Sequence, residues 1–378
     1  MNEIRIWLSR PHMGGAELDL VKETFDSNFI APVGPMLSRF ETIVSDYLGG
    51  DVHCLALSSG TAAMHLALMQ AGVKQGDEVW TNSMTFGGGV FPVNYIGAEL
   101  VFFDISDDCW SISIEFLESE LLRAARSGAL PAAIIPTDLY GMSVNLEECT
   151  RLGNEYGVKI IVDSAESLGA DYKDQKAGVG VDSSILSFNG NKIITTSGGG
   201  MFVSKNEEWV ERARYLSTQA RQPVAHYEHI DIGYNYRMSN VCAAIGVGQM
   251  EVLDQHVSNR RKIFDRYKAE LGDLPGFRFM AEPAWSTSSR WLSTLTIDSN
   301  DSGVTREDIR LSLSNVGIET RPLWKPMHLQ PLYLGKRYVG EGRDEKLFSD
   351  GLCLPSGSDL TEDEQTEVIE RIQKLVLR

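Results

Sequence analysis

The sequence predicts an α/β protein: a mostly parallel sheet covered by helices on both faces, followed by a smaller C-terminal α/β lobe. Two observations predict it. From residue 51 onward, short apolar β-rich runs alternate with helical patterns at the spacing of βαβ units. A long helical pattern over 241–271 then separates this alternation from a second, shorter set of elements.

In chain order, an amphipathic pattern predicts a helix over 15–28. Phe29-Ile-Ala-Pro-Val-Gly-Pro35 makes a fixed bend, and a second helix runs to residue 47. Strand and helix then pair as 52–57 with 61–71, 78–81 with 86–96, 100–104 with 114–125, and 132–137 with 146–156. Strands follow at 158–163, 184–188 and 201–204, then a helix at 207–216 and the long pattern 241–271, read as one helix connecting two domains. The terminal lobe has a strand at 293–297, a helix at 305–315 and a capped helix opening at Thr361-Glu-Asp-Glu364. The predicted domains are 1–250 and 251–378.

A chain of 378 residues, 43% hydrophobic, buries a large core. Its net charge of -17 disfavours broad attraction to nucleic acid or to an anionic membrane, which needs clustered Lys and Arg. A small anionic substrate remains compatible with a locally positive site. The five cysteines are scattered and never in Cys-x-x-Cys spacing, so neither a disulfide framework nor a metal site is indicated. With no secretory pattern in the first residues and no apolar run of membrane-spanning length, a cytoplasmic location is expected.

Four loops at predicted strand ends carry chemistry. In Ser187-Phe-Asn-Gly-Asn-Lys192-Ile-Ile-Thr-Thr-Ser-Gly-Gly-Gly200, a lysine is held on a tight connection between apolar strands. Desolvation there lowers an amine's pKa and frees it as a nucleophile toward carbonyl carbon. A solvated loop lysine is the ordinary alternative. In Ser58-Ser-Gly-Thr-Ala-Ala63, backbone N–H groups and hydroxyls at a helix N-terminus suit a phosphate, or form a plain N-cap. Thr85-Phe-Gly-Gly-Gly89 sets the Phe86 ring beside glycines that let a planar group approach, unless Phe86 is a core residue. Asp163-Ser-Ala-Glu-Ser-Leu-Gly169 ends an apolar strand in an acid, which faces a cation or a protonated ring nitrogen, or caps a helix. A phosphate cradle, an aromatic plate, an acid and a lysine together describe a pyridoxal 5'-phosphate site.

These loops, with Ile30-Ala-Pro-Val-Gly-Pro35, Gly233-Tyr-Asn-Tyr-Arg-Met238 and Leu354-Pro355, resemble the DegT/DnrJ/EryC1/StrS family of sugar aminotransferases over nearly the whole chain. The resemblance implies the fold-type I architecture, a large domain with a mostly parallel seven-stranded sheet and a smaller C-terminal domain. It implies that Lys192 holds the cofactor by a Schiff base and moves the proton, and that Asp163 keeps the pyridine nitrogen protonated. Phe86 would stack on the ring, and Thr61, Ala62 and Ser187 would bind phosphate, with Ser59, Gly60 and Asn189 also at the cofactor. Glu166 would lie near the ring's 3'-oxygen, where many relatives carry Gln or His. Asn235, by itself a turn residue, would reach the phosphate of the neighbouring subunit, implying a homodimer with shared sites. Ile30, Pro32, Val33 and Gly34 would border the sugar. His328 is either a substrate contact or a loop histidine satisfied by backbone, and Arg237 either meets an anionic substrate group or forms a structural ion pair.

Relatives that act as C-3 dehydratases replace the lysine with histidine, so Lys192 argues for transamination. The lysine motif and Trp324-Lys-Pro-Met-His-Leu-Gln-Pro331 look most like C-4 aminotransferases of UDP-4-keto-6-deoxy-N-acetylglucosamine, the bacillosamine route. The expected reaction takes the amino group from L-glutamate, with pyridoxamine 5'-phosphate between the two halves. A dTDP-linked 3- or 4-keto sugar is the alternative substrate, and a non-catalytic cofactor-binding regulator or a lyase the alternative activity.

Overall fold

The structure, a computed structural model, describes residues 3–377; Met1, Asn2 and Arg378, the outer limits of the predicted domains, lie outside the described residues. Two helices open the chain, α1 (Glu17–Asp26) and α2 (Pro35–Tyr47), the second started by Pro35 behind the strongly turned Gly34. The alternation then runs β1 (His53–Leu57), α3 (Gly60–Gln70), β2 (Glu78–Asn82), α4 (Gly87–Ile96), β3 (Glu99–Phe103), α5 (Ile114–Ser127), β4 (Ala133–Ile135), α6 (Leu146–Tyr156) and β5 (Lys159–Asp163). Strands Ser183–Ser187 and Gly200–Ser204 follow.

These form one eight-stranded sheet in the order β1, Gly200–Ser204, Ser183–Ser187, β5, β4, β2, β3 and Tyr338–Val339. Seven strands were expected; the eighth is a two-residue edge contributed by the C-terminal part of the chain and pairs parallel with β3. Within this sheet only Gly200–Ser204 runs antiparallel to its neighbours. The sheet strands are buried almost throughout, and α3 is buried from Ala62 to Leu68, as befits a helix packed between the sheet, α4 and a further helix.

The pattern over 241–271 is two helices, Asn240–Met250 and Leu253–Leu271, broken at Glu251 and Val252. The first is buried in the large lobe. The second leads into a four-stranded antiparallel sheet, Phe277–Phe279, Ser293–Ile297, Gly351–Leu354 and Arg321–Pro322 in that spatial order. Its core joins Tyr267, Leu295, Ile309, Leu352 and Val368. The last helix, Glu362–Val376, starts with the reciprocal Thr361 and Glu364 capping bonds. Ile6 is buried in this lobe and bridges Ile318, so the chain's first described segment packs with its last third. Among the described residues no helix is long and apolar enough to cross a membrane.

Candidate active site

The carboxyl ends of the parallel strands meet at one cavity of about 260 Å³. Its position follows from strand direction, because loops leaving those ends all open on the same edge. Ser59, Gly60 and Thr61 line it from the β1–α3 turn, Phe86 and Gly89 from the start of α4, Asp163 and Glu166 from the end of β5, and Ser187, Asn189 and Lys192 from the lysine loop. Thus four loops far apart in sequence converge on one space.

The lysine loop is held from below. Thr196 N–H donates to the Phe188 carbonyl at 3.0 Å, Thr195 N–H to Gln249 Oε1 at 3.1 Å, and buried Phe188 packs edge-on against Phe40. Gly200 is required where this loop rejoins the sheet, because a Cβ there would lie 2.3 Å from the Gly60 nitrogen. Lys192 is 11% exposed, its Nζ 3.8 Å from Glu166 Oε1 and 4.1 Å from the centre of the Trp291 ring. Burial lowers the amine's pKa, and Glu166 and Asp163 pull it partly back.

Burial pushes Glu166 up to about 7 against the attraction of Lys192, the Tyr140 N–H at 2.8 Å on Oε2 and the Trp324 indole N–H at 3.1 Å on Oε1. Asp163 is likewise raised by burial. Its Oδ1 accepts the Ala165 N–H at 3.1 Å, while Oδ2 is turned toward Gly89, where an added Cβ would sit 2.3 Å from it. Phe86 is 56% exposed and so is no core residue; its ring meets Trp324 at 5.4 Å. At the other end Ser59 Oγ caps α3 by accepting the Ala62 N–H at 3.0 Å, which leaves Ala62 buried in the helix and outside the cavity lining. The hydroxyl-bearing Thr61 and Ser187 remain in the lining, Thr61 Oγ1 close against Gly88.

Other expected residues stand elsewhere. Arg237 is an ion-pair residue, bonded to Glu41 and donating to the Ala56 carbonyl at 2.8 Å, well inside the large lobe rather than on the cavity. Its neutralising partner sits 196 positions away, which explains why the sequence left both readings open. His328 also lies off the cavity. Its Nδ1 is 2.6 Å from Ser83 Oγ and 3.8 Å from Asp344 Oδ2, its Nε2 is 3.2 Å from Glu345 Oε1, and its ring stacks on Tyr338. Asn235 is exposed and accepts from Gln219 at 3.1 Å, and Ile30, Pro32, Val33 and Gly34 lie on an outer surface of the same chain.

Residues to which the sequence reading gave no role at the cavity complete its walls. Trp291, Trp324 and Tyr140 form a stacked aromatic group beside Lys192, Tyr140 and Trp324 being nearly parallel at 6.3 Å. Thr85, Thr137 and Asn191 add polar atoms.

The chain matches the sequence model of the DegT/DnrJ/EryC1/StrS aminotransferase family over residues 11–373. It is 48% identical over 370 residues to the "Putative pyridoxal phosphate-dependent aminotransferase EpsN" of Bacillus subtilis, covering 97% of this chain and 94% of that protein. To a GDP-perosamine synthase of Caulobacter vibrioides it is 33% identical, with 99% of each covered. Among solved structures it is similar to a DegT DnrJ EryC1 StrS aminotransferase from Brucella abortus, with a TM-score of 0.88, 26% identity and 96% of both chains covered. With agreement of sequence and of fold running almost end to end, the protein belongs to the DegT/DnrJ/EryC1/StrS aminotransferase family and is a pyridoxal phosphate-dependent sugar aminotransferase.

Proposed function

We propose that the protein transfers the amino group of L-glutamate to C4 of a UDP-linked 2-acetamido-2,6-dideoxy-4-keto-hexose, giving a UDP-4-amino-2,4,6-trideoxy-N-acetyl sugar of the bacillosamine type. The observation that carries the transfer chemistry is the seating of Lys192 in one buried cavity with two carboxylates, Glu166 at 3.8 Å and Asp163 turned in past Gly89.

The cavity fits pyridoxal phosphate. Gly89 and Gly88 leave the space that a flat ring needs beside Asp163 Oδ2 and Phe86, and Thr61 and Ser187 offer hydroxyls at the N-terminus of α3 for its phosphate. The bound cofactor supplies an aldehyde for an amine and a ring that stores the electron pair released when a proton leaves carbon. Lys192, its proton loosened by burial, would be the amine that holds the aldehyde and the group that carries a proton at Nζ. Asp163 would serve as the counter-ion that keeps the ring nitrogen protonated. Glu166, Asn189 and Phe86, which line the same cavity, would help to hold the ring.

The remaining expected residues fit a homodimer. Ile30, Val33 and Ile232 are exposed apolar residues, the last 84% exposed, and Asn235 stands beside Ile232 on the chain. In a homodimer these exposed residues would be covered by the second copy, with Asn235 reaching toward the partner's phosphate end and the 30–34 loop bordering its sugar.

The tract from Trp324 to Pro331 supports the UDP-linked substrate, while the GDP-perosamine synthases among the relatives favour a GDP-linked sugar as the second reading. The absorbance of the holoenzyme decides between them. L-glutamate removes the band near roughly 420 nm expected of lysine-bound cofactor, and the keto sugar that restores it, among UDP-, GDP- and dTDP-linked candidates, is the substrate. Restoration by the GDP- or dTDP-sugar and not by the UDP-sugar overturns the UDP assignment.

A further inference from the structure

We propose that Trp324 is a positioning residue of the lysine site: its indole N–H fixes the carboxylate of Glu166 beside Lys192, so that the seating of the C-terminal segment is felt at the amine. The contacts form a closed set. Glu166 receives one neutral donor on each oxygen, the Tyr140 backbone N–H and the Trp324 indole N–H. Trp324 in turn donates its own backbone N–H to Tyr140 Oη at 2.7 Å, and the two rings lie 9° from parallel. The Trp324 ring cannot leave its seat without releasing Oε1 of Glu166, and the Tyr140 hydroxyl holds the Trp324 backbone in place.

Trp324 reaches the cofactor cavity from outside the four strand-end loops that converge on it. It follows the strand Arg321–Pro322 of the small sheet and precedes Met327, whose N–H donates to the Ser83 carbonyl at 2.8 Å in the large lobe. Its ring is also a wall shared by three cavities: the lysine cavity, one of about 450 Å³ reaching Leu323 and Phe348, and one of about 470 Å³ reaching Phe91 and Leu332. Removing the ring from its seat therefore opens Glu166 to space on two sides.

The electrical consequence follows from the groups present. Glu166 faces Lys192, Asp163, Tyr140 and the neutral thiol of Cys353, and Lys192 faces Glu166, Asp163 and the Trp291 ring. Burial and Asp163 oppose the Glu166 charge, whereas the two N–H donors and Lys192 favour it, leaving the group poised near neutrality. Loss of the indole N–H tips it toward the neutral acid, and Lys192 then keeps only Asp163 as a compensating charge. An amine so placed gives up its proton at lower pH.

The inference rests on Lys192 being the lysine that carries the cofactor. In the holoenzyme, the absorbance of the bound cofactor is titrated between pH 5 and 10 for the parent, W324F, E166Q and the double variant. W324F is expected to move the midpoint to lower pH by about threefold or more in proton concentration, the lower end of one hydrogen bond's net contribution, since the effect reaches the amine only through Glu166. In the E166Q background W324F is expected to move nothing further. An unchanged midpoint in W324F, or an equal shift with and without Glu166, overturns the proposal, since a packing role would act regardless of the carboxylate. If W324F does not fold, W324M, which also lacks the donor, is read by the same criteria. Borohydride trapping separates the underlying assignment: cofactor fixed in the parent but not in K192A supports it, and trapping that persists in K192A sinks it independently of Trp324.

Discussion

Asp344→Asn is expected to stabilise the protein, and to do so more at pH 8 than at pH 5. Asp344 is fully buried at the start of the helix Arg343–Asp350, where its Oδ1 accepts from Tyr338 Oη at 2.8 Å and from Glu345 N–H at 2.8 Å. Its Oδ2 accepts no hydrogen bond among the described residues. Burial and then the neighbouring Asp104 push its pKa up to about 7 from 3.8; Tyr338, His328 and Glu345 are the other groups that face it. Asp104 itself keeps its charge, because four backbone N–H groups at Ile105, Glu341, Arg343 and Asp344 outweigh its own burial.

An acid whose folded pKa is raised binds more protons in the native state, so stability falls as pH climbs from the unfolded value to the folded one. Two pH units of that window lie above pH 5, and at about 1.4 kcal/mol per unit the advantage of the Asp344→Asn variant over the parent grows by about 3 kcal/mol by pH 8. Urea unfolding of both proteins at one concentration, at pH 5 and pH 8, measures this difference directly. An advantage that is flat or shrinks as pH rises would refute the argument, for it would mean that Asp344 is ionised in the native state at both pH values.

Three further outcomes are expected. Lys192→Ala abolishes turnover while circular dichroism stays that of the parent, since the loop is held by Phe188, Thr195 and Thr196 rather than by the amine; turnover at the parent's rate in this variant would end the mechanism. Gly89→Ala drives a methyl into Asp163 Oδ2 and weakens cofactor binding about tenfold or more, the scale of 1 to 3 kcal/mol for overpacking; fluorescence titration with pyridoxal phosphate reads it, and unchanged affinity would show that Asp163 does not face the cofactor. The proposed homodimer is expected to give way to monomers in light scattering when Val33→Asp is combined with Ile232→Asp, and a doubly substituted protein of dimer mass would place the interface elsewhere.

Much of the site was legible in the sequence because each of its four loops is local. Ser59, Gly60 and Thr61 follow one strand, Asp163 ends another, and the order of such loops along a parallel sheet brings them to one edge whatever lies between. The missed walls are not local. Trp291 and Trp324 arrive from the second lobe, and Trp324 meets Glu166 across 158 residues and Tyr140 across 184. Arg237 shows the converse, a charged residue in a motif-like tract whose partner Glu41 only the fold reveals. The break at Glu251 and Val252 has no proline or glycine to mark it, so the periodicity read through it. The two-residue strand Tyr338–Val339 is too short for any alternation to register, and pairing with β3 alone makes it a strand.

That short strand and the Ile6 bridge to Ile318 have a consequence for synthesis on the ribosome. The first described segment finds its partner only once Gly317 and Ile318 have emerged, and β3 remains the bare edge of the large sheet until Tyr338 and Val339 follow. A nascent chain or a fragment of residues 1–250 therefore carries an unpaired strand edge and a solvent-facing Ile6, both open to association with other chains. Both pairings therefore wait for residues 317–339 to emerge.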